Sequence, residues 1–132
     1  MFAKWSKNDV AGSAGLSIQD ENGSLIGHAT LWGGSLPTRI ATFAIIVGPP
    51  FVDQGYGTEA TRAMLRYGFD ELGLHKIELQ VDAVNRRAIR AYEKAGFAQE
   101  GIRRAAVFHD GTFYDHVLMG ILEEEYRLRP EG

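Results

Sequence analysis

Ile40-Ala41-Thr42-Phe43-Ala44-Ile45-Ile46-Val47-Gly48-Pro49-Pro50-Phe51-Val52-Asp53-Gln54-Gly55-Tyr56-Gly57-Thr58-Glu59-Ala60-Thr61 is the stretch on which the fold turns. Its first eight residues are apolar or β-branched throughout, which reads as a strand buried on both faces. Gly48-Pro49-Pro50 removes two backbone donors in succession and ends that strand. Gln54-Gly55-Tyr56-Gly57 then supplies a tight glycine turn. From Thr58 onward Ala60, Ala63, Met64, Tyr67, Gly68 and Leu72 recur at spacings of three and four, predicting a helix with one packed face that ends near Gly73. Gly55 and Gly57 let the backbone approach a ligand closely, and the free N–H groups of the helix that follows, with its dipole, favour a phosphate.

The same turn, Gly55-Tyr56-Gly57-Thr58-Glu59-Ala60, also fits the dinucleotide fingerprint G-x-G-x-x-A. Context argues against that reading. A nucleotide-binding turn of that kind follows its strand at once, whereas here Gly48 to Gln54 intervene, and the chain holds too few parallel strands for two mononucleotide halves. The plain alternative is a tight turn with a capped helix and no ligand.

Upstream, Ala14 to Asp20 and Leu25 to Trp32 are two partly alternating apolar runs joined by Glu21-Asn22-Gly23-Ser24, a hairpin signal. Downstream, Lys76 to Val81 alternates Ile77, Leu79 and Val81 against Lys76, Glu78 and Gln80. A right-handed crossover places that strand parallel to Ile40 to Val47. Asn85 is then a good N-cap for a short helix with Ala88, Ile89, Tyr92 and Ala95 as its inward stripe, and Gly96 stands where a left-handed cap belongs. Arg103 to His109 and Thr112 to Leu122 flank Asp110-Gly111, a second hairpin signal. The order β-β-β-α-β-α-β-β defines an α+β fold, one mixed sheet with helices packed on it, and not a doubly wound one.

Composition agrees with one soluble domain over residues 1 to 132. Of these residues 45% are hydrophobic and 23% charged, enough to build one core without metals or disulfides. The absence of cysteine excludes a thiol nucleophile, a redox dithiol, a zinc-thiolate site and a disulfide framework together. A net charge of -3 lacks the electrostatic footprint of a nucleic-acid binder. The apolar run Ala41 to Val47 is far below the roughly 18 residues of a spanning helix. The opening Met-Phe-Ala-Lys-Trp-Ser-Lys lacks the apolar core of a signal peptide, so the expectation is a cytoplasmic protein with no membrane partner. The histidines His28, His75, His109 and His116 show no metal-ligand spacing on a common helix, so no metal is expected.

Two segments taken together carry a family resemblance. Gln54-Gly55-Tyr56-Gly57-Thr58-Glu59-Ala60 and Asn85-Arg86-Arg87-Ala88-Ile89-Arg90-Ala91-Tyr92-Glu93-Lys94-Ala95-Gly96-Phe97 resemble the GCN5-related N-acetyltransferase (GNAT) superfamily. The pattern is most similar to the branch with bacterial ribosomal-protein N-terminal acetyltransferases and spermidine acetyltransferases. Glu100-Gly101-Ile102-Arg103, the Asp110-Gly111 turn, Asp115 and Met119-Gly120 belong to the same pattern, which covers about residues 15 to 122. The resemblance implies a mostly antiparallel mixed sheet whose two central parallel strands splay apart, with acetyl-coenzyme A between them as co-substrate. Its pantetheine arm would ladder onto Ile45, Ile46 and Val47, an N–H near Ile46 polarising the thioester carbonyl, and its pyrophosphate would rest on the backbone of Gln54, Gly55, Tyr56, Gly57 and Thr58.

In the family pattern Asn85 hydrogen-bonds the pantetheine arm, although a plain helix cap explains it equally well. Tyr92 corresponds to the tyrosine that protonates the departing thiolate, against the alternative of a core tyrosine with a satisfied hydroxyl. The implied reaction is direct attack of a primary amine on acetyl-coenzyme A in a ternary complex, without an acyl-enzyme. The acceptor is a small-molecule or peptide amine. The alternative is a coenzyme A-binding regulatory module without catalysis.

Three features depart from the family. Val52 stands where the pyrophosphate motif usually carries Arg or Gln. Ala41-Thr42-Phe43-Ala44 holds no carboxylate, so no general base is named; His28, Asp53 and Asp82 are titratable groups of which none is singled out. Only Met1 to Ser13 precede the first predicted strand, where the family has a strand and two helices that wall the acceptor pocket. The expectation is a homodimer whose second subunit supplies the wall, with Phe2 and Trp5 adding apolar contacts. Arg86, Arg90 and Lys94 form a basic helix edge that reads as a solvated face.

Overall fold

A strand at each edge and one parallel pair at the centre organise the chain. The computed structural model describes residues 2–6, 14–19, 22, 25–33, 37–47 and 56–128. Within them run β1 (Phe2–Ser6), β2 (Ala14–Gln19), β3 (Leu25–Trp32), β4 (Ile40–Val47), α1 (Tyr56–Arg66), β5 (Lys76–Asp82), α2 (Arg86–Ala95), β6 (Ala98–His109), β7 (Thr112–Leu122) and α3 (Glu123–Leu128). The strands form one sheet in the order β1-β2-β3-β4-β5-β7-β6. β4 and β5 are parallel, and every other described pairing is antiparallel. The fold is therefore the α+β mixed sheet read from the sequence, with the two central strands parallel.

The two hairpins fall where the turn residues place them. β2 and β3 pair in antiparallel register from Ala14↔Leu31 to Gln19↔Leu25, with a bulge between Ile18 and Gln19. Asp110 and Gly111 both take positive φ, 52° and 77°, the conformation a two-residue hairpin turn demands, and they close the pair His109↔Thr112. Further back on β6 the register shifts between Arg103 and Val107, where Ala105 takes φ 48° and its N–H donates to Asp115 Oδ1 at 2.9 Å. That bulge bends the end of the hairpin.

The core lies on one face of the sheet. Ala29, Leu31, Ala41, Phe43, Ile77, Leu79 and Val81 alternate inward and meet Ala60, Met64 and Leu65 of α1 and Ile89 of α2. After Arg66 the helix widens into a π turn over Tyr67–Glu71, marked by the Leu72 N–H donating to Tyr67 O at 3.1 Å. This turn brings Gly68 so near the sheet that a Cβ there would stand 2.8 Å from Ile77 Cδ1. α3 lies against the π turn, with Tyr126 beside Phe69 at 4.9 Å between ring centroids and Arg127 paired with Asp70.

Three sequence expectations change. β4 is not buried on both faces: Ala41 and Phe43 are buried, but Thr42 is half-buried and Ala44 exposed. Both helices that cover the sheet pack on the Phe43 side, and among the described residues no helix covers the other. A strand does precede Ala14, since Phe2–Ser6 pairs antiparallel with β2 from Phe2↔Gln19 to Ser6↔Gly15. Five residues without a turn signal are too short for periodicity to reveal, and the strand exists because β2 offers an open edge. β6 begins at Ala98, five residues earlier than expected, because pairing with Gly120 and Met119 extends it past its weakly alternating start. The expected roles of Gln54 and Gly55, and the side-chain contacts of Phe2 and Trp5, lie outside the described residues.

Candidate active site

The parallel ladder between β4 and β5 has three rungs, Ile40↔Lys76, Ala41↔Ile77 and Thr42↔Glu78. Beyond them each strand keeps its outer partner: β4 stays paired to β3 as far as Val47↔Gly27, and β5 to β7 as far as Asp82↔His116. The strands therefore part after Thr42 and Glu78. The inner backbone edges of residues 43–47 and 79–82 face one another without a shared ladder among the described residues. Unpaired backbone groups at the centre of a sheet need partners, and an extended amide-bearing ligand can supply them.

Elements at the two strand ends converge on this gap. Ile45, Ile46 and Val47 are the last residues of β4, and α1 opens at Tyr56, so Tyr56, Gly57 and Thr58 form its first turn. On the other side β5 runs through Ala83 and Val84 into Asn85, whose N–H donates to Asp82 O at 2.9 Å. The Asn85 side chain caps α2, its Oδ1 accepting from the Ala88 N–H at 3.2 Å. The capping role is thus realised, and the exposed amide NH2 is left over for other use.

Tyr92 is set by the far end of α2. Gly96 ends the helix at φ 113°, with the Gly96 N–H donating to Glu93 O and the Phe97 N–H to Tyr92 O, both 3.0 Å. This is the paired cap of a Schellman motif, which turns Phe97 back onto the helix. Its ring meets Tyr92 edge-on at 5.8 Å, and Phe43 of β4 meets the other side of Tyr92 at 6.3 Å and 86°. Burial pushes the Tyr92 phenol up from its ordinary range, so the hydroxyl is a proton donor throughout the neutral range. The basic edge of α2 behaves as the sequence suggests. Arg86, Arg90 and Lys94 are exposed, and the first two line a groove of about 420 Å³ with Glu93, Gln99 and Val117, on the β6–β7 side of α2 and not in the β4–β5 gap.

One cluster was not singled out by sequence reasoning. His116 on β7 stands between two side chains of β5: Nε2 lies 3.1 Å from Asp82 Oδ1, and Nδ1 lies 3.0 Å from Gln80 Oε1. The other Asp82 oxygen is 3.7 Å from His109 Nε2, and the His109 ring stacks on Tyr114 at 4.3 Å. Asp82 and His116 are 34 residues apart in the chain, and only the β5–β7 register makes them neighbours. His28 of β3, opposite Ile46 on β4, is exposed and remote from this group in strand order.

The site thus consists of central parallel strands that part, α1 opening at one strand end and the capped α2 carrying a half-buried tyrosine at the other. The family profile described as "Acetyltransferase (GNAT) domain" matches residues 1–98, and the chain belongs to that family. Among curated proteins it is similar to the spermidine N(1)-acetyltransferase of Vibrio cholerae serotype O1, 34% identical over 114 residues that cover 86% of this chain and 66% of that protein. Among solved structures it is similar to spermidine N-acetyltransferase from Vibrio cholerae in complex with CoA and spermine, with TM-score 0.82 and 32% identity over 88% of this chain and 69% of that one. A dodecameric structure of spermidine N-acetyltransferase from Vibrio cholerae gives TM-score 0.85 and 33% identity over 93% of this chain and 71% of that one. The chain spans between about half and two thirds of the length of the first curated relatives it matches.

Proposed function

We propose that this protein is an N-acetyltransferase that moves the acetyl group of acetyl-coenzyme A to a primary amine by direct attack in a ternary complex. The observation that carries this reading is the parting of β4 and β5 after Thr42 and Glu78, with Tyr92 held against Phe43 at the first residue beyond the last shared rung. Ile45, Ile46 and Val47 offer the backbone edge for the pantetheine arm. Tyr56, Gly57 and Thr58 offer the amides of the first turn of α1 to the pyrophosphate, Gln54 and Gly55 are assigned to it on the family pattern, and Asn85 offers an amide side chain at the opposite strand end. Tyr92 gives its proton to the thiolate as the C–S bond breaks; its half-buried, protonated state and its place beside the gap support that role.

The acceptor class favoured is a small basic amine. Solved relatives are named as spermidine acetyltransferases, one in complex with spermine, and a net charge of -3 attracts cations. The reading includes a cytoplasmic location and a homodimer, in which a second subunit covers the sheet face opposite the helices. Light scattering tests the latter: a mass of twice 14.6 kDa at micromolar concentration is expected, and 14.6 kDa would refute it.

The functional test is calorimetric titration with acetyl-coenzyme A beside NADH, followed by thiol-release assays over a panel of amines that includes spermidine. The chain has no cysteine, so a thiol reagent reports released coenzyme A without protein background. Binding of acetyl-coenzyme A alone together with thiol release is the expected result. Tight binding with no transfer to any amine would identify a coenzyme A-binding module instead.

A further inference from the structure

The acetyl-transfer reading above leaves one chemical role without a residue: an acceptor amine is an ammonium ion near neutral pH and must lose a proton before it can attack. Alternation along β5 sends Ile77, Leu79 and Val81 into the helix-covered core and Lys76, Glu78, Gln80 and Asp82 to the opposite face. Tyr92 reaches the gap from the helix side. Groups that act on the nucleophile from the other side of the sheet must therefore come from the second face, where Asp82 and Gln80 hold His116.

We propose that His116, oriented by Asp82, is the general base that removes the proton from the acceptor amine. With its ring hydrogen on Nε2 and donated to Asp82, the imidazole leaves Nδ1 as a proton acceptor. The exposed Gln80 amide now beside Nδ1 swings aside to let a water reach that nitrogen. β7 lies one strand spacing, about 4.8 Å, from β5, and the gap opens on the far side of β5, so the proton travels through bridging water past the Gln80 and Asp82 side chains. The partition of roles follows. An N–H bond of the ammonium breaks, and its proton passes through that water to Nδ1 and on to solvent. The freed lone pair forms the C–N bond to the acetyl carbon, the C–S bond breaks, the thiolate takes the Tyr92 proton, and the second proton that the nitrogen sheds as it becomes an amide returns through water to the Tyr92 oxygen. Asp82 acts through His116 and is a positioning residue.

Among the described residues, few groups face His116. Asp82 and Gln80 come from β5, and Arg103 is its cross-strand partner on β6. His109 and Tyr114 reach it through Asp82, and Glu78 with the Lys76–Glu100 pair lies further along the same face. Side-chain exposures of 20% for His116 and 36% for Asp82 leave the ring fixed yet reachable by water.

The test uses the full chain with acetyl-coenzyme A and spermidine as probe acceptor. kcat/KM is followed against pH for the unmutated chain, His116→Gln, His116→Ala and Asp82→Asn, with calorimetric titration of acetyl-coenzyme A for each. The expected result is a loss of roughly 10²-fold or more in kcat for His116→Gln at neutral pH, with cofactor affinity unchanged. Its deficit narrows toward high pH, where free amine forms without help. Added imidazole restores part of the His116→Ala rate, and Asp82→Asn loses less than His116→Gln while shifting the acid limb. A His116→Gln variant with unaltered rate and pH profile overturns the assignment; should that variant not fold, an unaltered Asp82→Asn profile does the same. An unmutated chain that binds acetyl-coenzyme A and transfers to no amine overturns the acetyl-transfer reading itself, and is recognised before any variant is made.

Discussion

Tyr92 meets Phe43 edge-on, ring centroids 6.3 Å apart, and Phe43 is the first residue of β4 after its last rung with β5. The tyrosine is thus anchored on the strand at the point where the strands separate. Phe97 grips its other side at 5.8 Å because the Gly96 cap folds the chain back. Two aromatic edges fix the ring plane, so packing sets the hydroxyl direction.

Tyr92→Phe keeps both ring contacts and removes only the proton. Its kcat is expected to fall about 10²-fold with acetyl-coenzyme A affinity nearly unchanged, measured by thiol release and calorimetry. An unaltered turnover would remove Tyr92 from the mechanism. The same phenol carries a pH signature. Its folded pKa is raised by burial, so the folded state binds more protons than the unfolded state once pH exceeds the ordinary tyrosine value of about 10. The contribution is fully present below that pH and is lost as pH rises toward the folded value. Denaturant unfolding at alkaline pH should show this decline, and Tyr92→Phe should lessen it.

Asn85 caps α2 and stands at the gap end of β5, and the two roles can be separated. Asn85→Asp retains a good cap acceptor, so stability by urea unfolding should change by less than about 0.5 kcal/mol, while loss of the amide NH2 weakens acetyl-coenzyme A binding. Asn85→Ala should lose both, with about 1 kcal/mol of stability. Equal cofactor affinity in Asn85→Asp and the unmutated chain would leave Asn85 a cap alone.

Gly96 takes φ 113°, a left-handed backbone that an L side chain resists. Gly96→Ala should cost roughly 1–2 kcal/mol by chemical denaturation. Because that cap seats Phe97 against Tyr92, kcat should fall as well, more than cofactor affinity does. Loss of stability with full activity would show that the Tyr92 ring is held by Phe43 without help from the cap.

Gly68 lies where a Cβ would stand 2.8 Å from Ile77 Cδ1, 3.1 Å from Leu74 Cδ1 and 3.2 Å from Leu31 Cδ1. These atoms end side chains that are themselves fully buried, so they have little room to retreat. An alanine gains helix propensity of up to about 1 kcal/mol and meets an overpacking cost of about 1–3 kcal/mol. Gly68→Ala should therefore lose roughly 1 kcal/mol net, and Gly68→Val clearly more, read from denaturant midpoints. A neutral Gly68→Val would mean that α1 shifts freely over the sheet.

Much of what depends on local chain chemistry was legible in the amino-acid order. Asp110-Gly111 announced a turn because both residues tolerate positive φ, Asn85 and Gly96 marked the ends of α2 because one accepts from a free N–H and the other adopts the left-handed cap, and Ile40–Val47 matched its strand to the residue. Tyr92 and the glycine turn were singled out through the family pattern, since their spacing along the chain is itself the signal. The burial of β4 was misjudged because apolar composition records which side chains could be covered, not whether a layer exists to cover them. The Asp82–His116 pair was invisible for a related reason. Hydrogen bonding between β5 and β7 across 34 residues sets which side chains share a face and a rung, and no local pattern encodes that register. Sequence determined the elements and their caps, by local backbone preference; only the tertiary structure decided where two strands part and which titratable groups meet, because both are properties of strand pairing at a distance.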